Sequence, residues 1–208
     1  MNEPKNEQET FWAGEFGDEY INRNNSDFLH SANLNLFSKI LARTSDVSSV
    51  AEFGCNIGMN LRAIEALRPS VKLHGYEINK SAVDYVKETL PNVAAHHQSI
   101  LENIDLGVDL TFTKGVLIHI DPSNLSLVYE NLYSCSRKYI LVAEYYDPKP
   151  VALTYRGHEN KMFKRDFAGD LLERYENLKL IDYGFCYHRD VNFPQDDISW
   201  FLLEKRSL

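Results

Sequence analysis

Cysteine is scarce in this chain, and the three present make no pattern. Cys55, Cys135 and Cys186 are widely spaced, with no Cys-x-x-Cys pair. An odd, scattered set builds neither a zinc ribbon nor a disulfide framework, so a reducing compartment, the cytoplasm, is expected. Long apolar runs are missing too: no stretch approaches the ~20 residues of a membrane-spanning helix, and no membrane partner is expected. The opening ten residues are polar and acidic, unlike the apolar stretch of a signal peptide or the Arg-rich start of a transit peptide. Positive charge is in deficit, with 22 Lys and Arg against 30 Asp and Glu and a formal net charge of −8. The basic footprint of a nucleic-acid partner is therefore lacking. There is no internal repeat, no low-complexity tract and no signal of an oligomeric state.

What the chain does have is a globular composition, 44% apolar and 25% charged, over 208 residues. That length suits one domain with a modest extension. Residues 1–30 hold seven acidic and two basic side chains. Aromatic residues recur there at Phe11, Trp12, Phe16 and Tyr20, with the spacing of one helix face. Ser26 is placed to cap a second helix whose apolar side runs from Phe28 to Leu41. Residues 1–47 thus read as a helical extension packed on a main domain, 48–208. In that domain, strands are expected at 49–53, 71–76, 93–97, 108–113 and 139–144, and helices at 59–67, 81–90 and 122–134. This alternation means right-handed strand–helix–strand units and a parallel sheet. Beyond a helix at 166–175, the runs 178–187 and 198–204 have no helix between them and are expected to pair antiparallel at one sheet edge. The stretch 147–165 interrupts the pattern and has no periodicity of its own.

The strongest chemical signal is the turn after the first strand, Glu52-Phe-Gly-Cys-Asn-Ile-Gly-Met-Asn60. Glycine lets the backbone turn tightly and a ligand approach. Open parallel sheets bind ligands beyond the carboxyl ends of their strands, at the switch point beside the first. A phosphate-binding loop would end in Gly-Lys-Ser/Thr, which is not there. A dinucleotide fingerprint would need glycine at 54, 56 and 59, where this chain has Gly54, Asn56 and Met59. A third pattern, acidic-x-Gly-x-x-x-Gly, is met by Glu52, Gly54 and Gly58. It suits S-adenosylmethionine, which has no phosphates. The loop, Asn56 included, would wrap the amino-acid end, with Glu52 orienting its ammonium group. Glu77, ending the second strand with Ile78 beside it, would accept hydrogen bonds from both ribose hydroxyls. An ordinary tight turn without a ligand is the alternative.

The order of elements and this loop resemble the class I S-adenosylmethionine-dependent methyltransferases over residues 48–204. A narrower resemblance lies in Phe112-Thr-Lys-Gly-Val-Leu-Ile-His-Ile120, Ala143-Glu-Tyr-Tyr-Asp-Pro148, Tyr155-Arg-Gly-His158, Phe163-Lys-Arg-Asp-Phe-Ala-Gly169 and Asn192-Phe-Pro-Gln-Asp-Asp197, together with Phe16-Gly-Asp-Glu-Tyr-Ile-Asn-Arg-Asn24. These stretches resemble the methyltransferase associated with pseudaminic acid biosynthesis in bacteria, over nearly the whole chain. The resemblance implies a Rossmann-like α/β fold: a seven-stranded, mostly parallel sheet with an antiparallel edge strand and helices on both faces. It implies S-adenosyl-L-methionine as cofactor and methyl transfer to a hydroxyl or amine of a small anionic acceptor, a nonulosonic (pseudaminic-type) acid or a nucleotide sugar. The alternatives are an unrelated small-molecule or protein acceptor, and a protein that binds the cofactor without catalysis. The middle glycine common in the family's loop is Asn56 here, and Asn also accepts unusual backbone angles.

After the third strand, where this fold usually offers adenine an acidic side chain, the chain has Gln98 and Ser99, either of which suits the adenine amino group. His96 and His97 point to opposite faces of a strand, and no metal site is expected from them. The fourth strand leads to Lys114, counted with the cofactor site, and to His119, the candidate general base. Histidine titrates near working pH and can take the proton of an acceptor hydroxyl; packing against the next helix is its alternative role. Residues 149–165 carry five basic side chains and one acidic one, so a positively charged lid over an anionic acceptor is expected. Arg156 has the planar fork for a carboxylate or phosphate, and Tyr145, Tyr146, Tyr155 and His158 are candidates to pack on a sugar ring. Phe11 and Trp12 are expected to pack on the body without touching a ligand, while Tyr20 is open to either role.

Overall fold

The computed structural model describes residues 6–21, 26–155 and 157–206, and the side chains of all of these except 158–161. Three helices lead the chain: α1 (Glu7–Ala13), α2 (Glu15–Ile21) and α3 (Asp27–Arg43). Then follow β1 (Ser49–Phe53), α4 (Met59–Leu67), β2 (Lys72–Glu77), α5 (Lys80–Thr89), β3 (Val93–His97), β4 (Val108–Lys114), α6 (Leu125–Cys135) and β5 (Ser136–Glu144). The chain continues through β6 (Val151–Tyr155), β7 (His158–Lys164), α7 (Phe167–Arg174), β8 (Leu178–Cys186) and β9 (Ile198–Lys205).

β1 is buried at every position and β4 at all but Lys114. Strands covered on both faces read as unbroken apolar runs, which is why the sequence shows them so plainly. They lie at the centre of a seven-stranded sheet ordered β3-β2-β1-β4-β5-β9-β8. The first five run parallel, and β9 pairs antiparallel with both β5 and β8. The chain leaves β1 toward β2 on one side and returns to β4 on the other. The carboxyl ends of β1 and β4 therefore flank the switch point where such sheets open a crevice. Successive β1 residues face opposite layers. Val50 joins Leu36, Phe37, Ile40, Leu61, Ile64 and Val86 under α3, α4 and α5. Ala51 and Phe53 join Val128, Leu132, Phe167 and Leu171 under α6 and α7. Arg68 fixes the end of α3 to the domain, donating to Leu41 O at 2.5 Å and Thr44 O at 2.9 Å.

Two expectations change. The aromatic-rich first segment is two short helices broken at Gly14, not one; the break folds Phe16 back onto Phe11, with ring centroids 4.1 Å apart. The stretch 147–165 is not irregular: β6 and β7 form an antiparallel hairpin turning at Gly157 (φ +85). Residues 151–154 are all exposed, and a strand bare on both faces carries no period-two signal. Among the described residues, no helix is long and apolar enough to cross a membrane.

Candidate active site

From Phe53 the chain turns through Gly54 (φ +80), Asn56 (φ 46) and Gly58 (φ +76) into α4. The amides of Gly54 and Cys55 both donate to Tyr76 O, at 2.8 and 3.0 Å, tying the turn to the end of β2. The next residue completes the tie. Glu77 Oε2 accepts from the Asn56 amide and Oε1 from the Asn79 amide, each at 2.8 Å. One buried carboxylate thus holds the left-handed Asn56 and the start of α5, where Asn79 Oδ1 caps the Ala82 amide at 2.9 Å. Burial raises the Glu77 pKa, while those backbone donors pull it down. A carboxylate has about four acceptor positions, so Glu77, which lines the cleft, keeps capacity for a ligand's hydroxyls.

Glu52 lies under the turn, fully buried. Its Oε1 accepts from Asn60 Nδ2 at 2.6 Å, and its Oε2 has no partner among the described residues. Burial pushes its pKa up to about 8, opposed by Asn60 and Lys114. Asn33, on α3 and 1% exposed, lines the cleft; among the described residues its Oδ1 has no partner, and neither has the Oδ1 of Asn60. Buried acceptors without donors are rare; an ammonium group brings three donors. The acceptors here thus fit the amino-acid end of S-adenosylmethionine.

The cleft encloses about 230 Å3, far beyond the about 10–15 Å3 that one water requires. Its floor is the strand ends, and α1 and α2 roof it through Glu9, Trp12, Gly17 and Tyr20. The roof is fastened by Asn79 Nδ2, which donates to Trp12 O (3.3 Å) and Asp18 Oδ1 (3.0 Å), and by Ser99 Oγ, which donates to Glu9 Oε1. His119, 7% exposed, sits in a single 3₁₀ turn after β4. Its ring lies 4.6 Å from Trp12 and 4.8 Å from Tyr155, centroid to centroid. The turn is held from beneath by Glu144 at the end of β5, whose Oε1 accepts from the Val116 and Leu117 amides at 3.1 Å each. Burial pushes Glu144 up to about 7. Lys114 is held below the usual lysine range by burial, with Glu52 and Asp196 opposing that shift.

Of the residues singled out from the sequence, Gly54, Asn56, Glu77, Ile78, Ser99, Lys114, His119, Tyr145 and Tyr155 line this one cleft. Glu52 stands behind it through Asn60, and Gly58 shapes the turn rather than the wall. Three expectations need correcting. Tyr146 faces away, 41% exposed and 5.8 Å from the Phe201 ring, because neighbours on an extended chain point to opposite sides. Gln98 turns its amide to Asn103 O at 3.1 Å, away from the cleft. Trp12, expected to be mere packing, lines the cavity. Arg156 lies outside the described residues, as does the side chain of His158. From the hairpin, Tyr155 and Met162 line the cleft, while Arg165 pairs with Asp170 at 2.7 Å and Lys164 lies over the Tyr145 ring. Sequence reasoning misses Glu9, Asn33, Asn60 and Glu144. The last was findable, since an acidic residue ends β5 just as Glu77 ends β2. His96 stacks on Tyr76 while His97 Nε2 meets Ile78 O at 2.9 Å, and among the described residues no three His, Cys, Asp or Glu side chains gather as a metal site would require.

No protein-family model matches the chain, and no curated protein resembles it in sequence. Solved structures do resemble it in fold. Magnesium protoporphyrin IX methyltransferase from Synechocystis PCC 6803, with bound S-adenosylhomocysteine, superposes at a TM-score of 0.73 with 13% identity, covering 96% of this chain and 100% of that one. The 1,6-didemethyltoxoflavin-N1-methyltransferase of Burkholderia thailandensis, with S-adenosylhomocysteine and 1,6-didemethyltoxoflavin bound, gives 0.73 at 11% identity, over 100% of this chain and 92% of that one. A Clostridium acetobutylicum S-adenosylmethionine-dependent methyltransferase gives 0.64 at 11%, over 92% and 98%. With its sheet order, antiparallel edge strands and these likenesses, the chain has the Rossmann-like fold of class I S-adenosylmethionine-dependent methyltransferases.

Proposed function

We propose that this chain is a methyltransferase that uses S-adenosyl-L-methionine to methylate a hydroxyl or amine of a small acceptor. The observation that carries the reading is one cleft holding both a glycine turn tied to the strand-tip carboxylate of Glu77 and a buried His119 on the acceptor side. Asn60, held from behind by Glu52, and Asn33 would hold the cofactor's ammonium group, Lys114 its carboxylate and Glu77 its ribose. The bound cofactor supplies a methyl group on a sulfonium, already a good leaving group. The chain's own task is alignment and exclusion of water, worth ~7–11 kcal/mol of barrier when reactants are well oriented. Trp12, Tyr20, Tyr145 and Tyr155 close the acceptor side with rings. His119 takes the proton of an acceptor hydroxyl at a ring nitrogen, and Glu144 fixes the turn that carries it.

For the acceptor, the sequence resemblance favours a nonulosonic acid of the pseudaminic type or a nucleotide sugar. Lys164, beside Tyr145, suits its carboxylate or phosphate. The ring-lined wall favours a second reading, a flat unsaturated acceptor that stacks on Trp12 or Tyr155. The site is suited to the cytoplasm, where Cys55, Cys135 and Cys186 stay free thiols. Mass spectrometry of sugar-nucleotide pools with and without the protein, seeking one added CH2 unit, tests the first acceptor class. Release of S-adenosylhomocysteine with aromatic hydroxyl acceptors tests the second. Tight binding of the cofactor with no release on either panel would make the chain a binding protein instead.

A further inference from the structure

We propose that Glu9, on the roofing helix α1, binds the exocyclic amino group of the nucleoside base, so that the roof itself reads the base as a 6-aminopurine. The proposal rests on the cofactor reading above. It starts from where Glu9 stands. β3 ends beside β2: His97 pairs in register with Glu77, and the Gln98 amide donates to Glu77 O at 3.0 Å. Next to the carboxylate assigned to the ribose, the cleft wall therefore continues through Ile78 to Ser99, Ile100 and Leu101, with Val116 and Ile118 also lining it. That is an apolar slot of the kind a flat base packs into. At its edge stands a carboxylate only 6% exposed, Glu9, which also lines the cleft.

Where β3 runs into the slot, residues 98–101 include no carboxylate, and Asp121, which also lines the cleft, turns Oδ1 to the Ser123 amide at 2.8 Å. Residues 98–100 are Gln, Ser and Ile, and Gln98 is turned to Asn103 O. A hydroxyl has one proton, and Ser99 Oγ commits it to Glu9 Oε1 while accepting from the Leu101 amide at 3.0 Å. Ser99 is therefore a positioning residue that aims Glu9. A carboxylate accepts a charge-assisted hydrogen bond from an amino group. It repels the keto oxygen of a 6-oxopurine, which has no proton to give. Glu9 thus supplies both attraction to one base and rejection of the other.

The test is calorimetric binding to the full chain of S-adenosylhomocysteine and of S-inosylhomocysteine, which differ in the 6-amino against the 6-oxo group and in the proton that the 6-oxopurine carries on N1. The unsubstituted protein is expected to bind the adenosyl compound at least about tenfold more tightly. Glu9→Gln is expected to bring the two within about threefold, because a carboxamide donates to a 6-oxo group as readily as it accepts from an amino group. Glu9→Ala, checked for folding by thermal unfolding, should lose the discrimination as well; if it fails to fold, Glu9→Gln decides alone. A Glu9→Gln protein that keeps the original ratio overturns the assignment, as does an unsubstituted protein that binds both compounds equally. If the unsubstituted protein binds neither compound, the cofactor reading falls with it. If S-adenosylhomocysteine binds and only the ratio is indifferent to residue 9, the role of Glu9 alone falls.

Discussion

Replacing Glu77 by Gln tests the joint between the turn and the cofactor. The carboxylate uses one oxygen for the Asn56 amide and the other for the Asn79 amide, both at 2.8 Å. A carboxamide has a single acceptor oxygen, so one of these two N–H groups must face an NH2. A buried donor left without an acceptor costs about 1–3 kcal/mol. Taking ~2 kcal/mol, the Tm should fall by about 4–8 °C for a chain of this size. The loss to the ligand is separate. A hydroxyl bonded to a carboxylate is worth about 1.5–3 kcal/mol, and the variant forfeits at least one such bond, about 10–100-fold in Kd. Calorimetry with S-adenosylhomocysteine and its 2′,3′-dideoxy analogue separates the two effects. The unsubstituted protein should weaken strongly when the hydroxyls are removed, and Glu77→Gln should weaken much less, because residues in contact are non-additive. A variant that binds S-adenosylhomocysteine normally, or one whose loss simply adds to the loss of the hydroxyls, would refute the reasoning.

Three further outcomes are expected. His119→Ala should slow transfer to a hydroxyl acceptor by ~10²–10⁴ while leaving S-adenosylhomocysteine binding nearly intact; unchanged turnover would remove His119 as the base. Burial raises Glu52 to about 8 and Glu144 to about 7 from an ordinary 4.5. The folded chain therefore holds protons that the unfolded chain releases between those values. The ligand-free protein should accordingly lose stability as pH climbs from about 5 to 8, with Glu52→Gln flattening the upper part of the slope in urea unfolding; a rising slope would contradict this. Gly54→Ala places a Cβ 2.6 Å from Val116 Cγ2 at φ +80. It should cost about 1–2 kcal/mol in backbone strain and ~1–3 kcal/mol in overpacking, read as a lower urea midpoint. Adding Val116→Ala should return only the packing share.

The sheet was legible because β1 and β4 are enclosed and because a glycine follows each of them and an acid ends β2 and β5, where the floor of the cleft must be thin or polar. Glu77 stood out for that reason. Glu144 carries the same signal, yet nothing in a lone sequence says that its carboxylate turns under the next loop rather than toward a ligand. The roof was harder to read. A tryptophan at helical spacing looks the same whether it meets a core or a cavity, and the contact of Trp12 with His119 joins segments far apart in the chain. Glu9 had no signal at all, since its partner Ser99 lies ninety residues away. Tyr146 was an avoidable error: two adjacent tyrosines leaving a strand cannot both face one cleft. Of the positive charge counted over residues 149–165, Arg165 is paired to Asp170, which a count by segment does not show.

The two halves of the cleft differ in readiness. The glycine turn is already locked by backbone and carboxylate bonds, so a nucleoside arriving there finds its seat prepared. The seat lies beneath α1 and α2, which are fastened to the body by the Asn79 and Ser99 hydrogen bonds. If those bonds open to admit a ligand, the observed association rate should climb with ligand concentration and then level off.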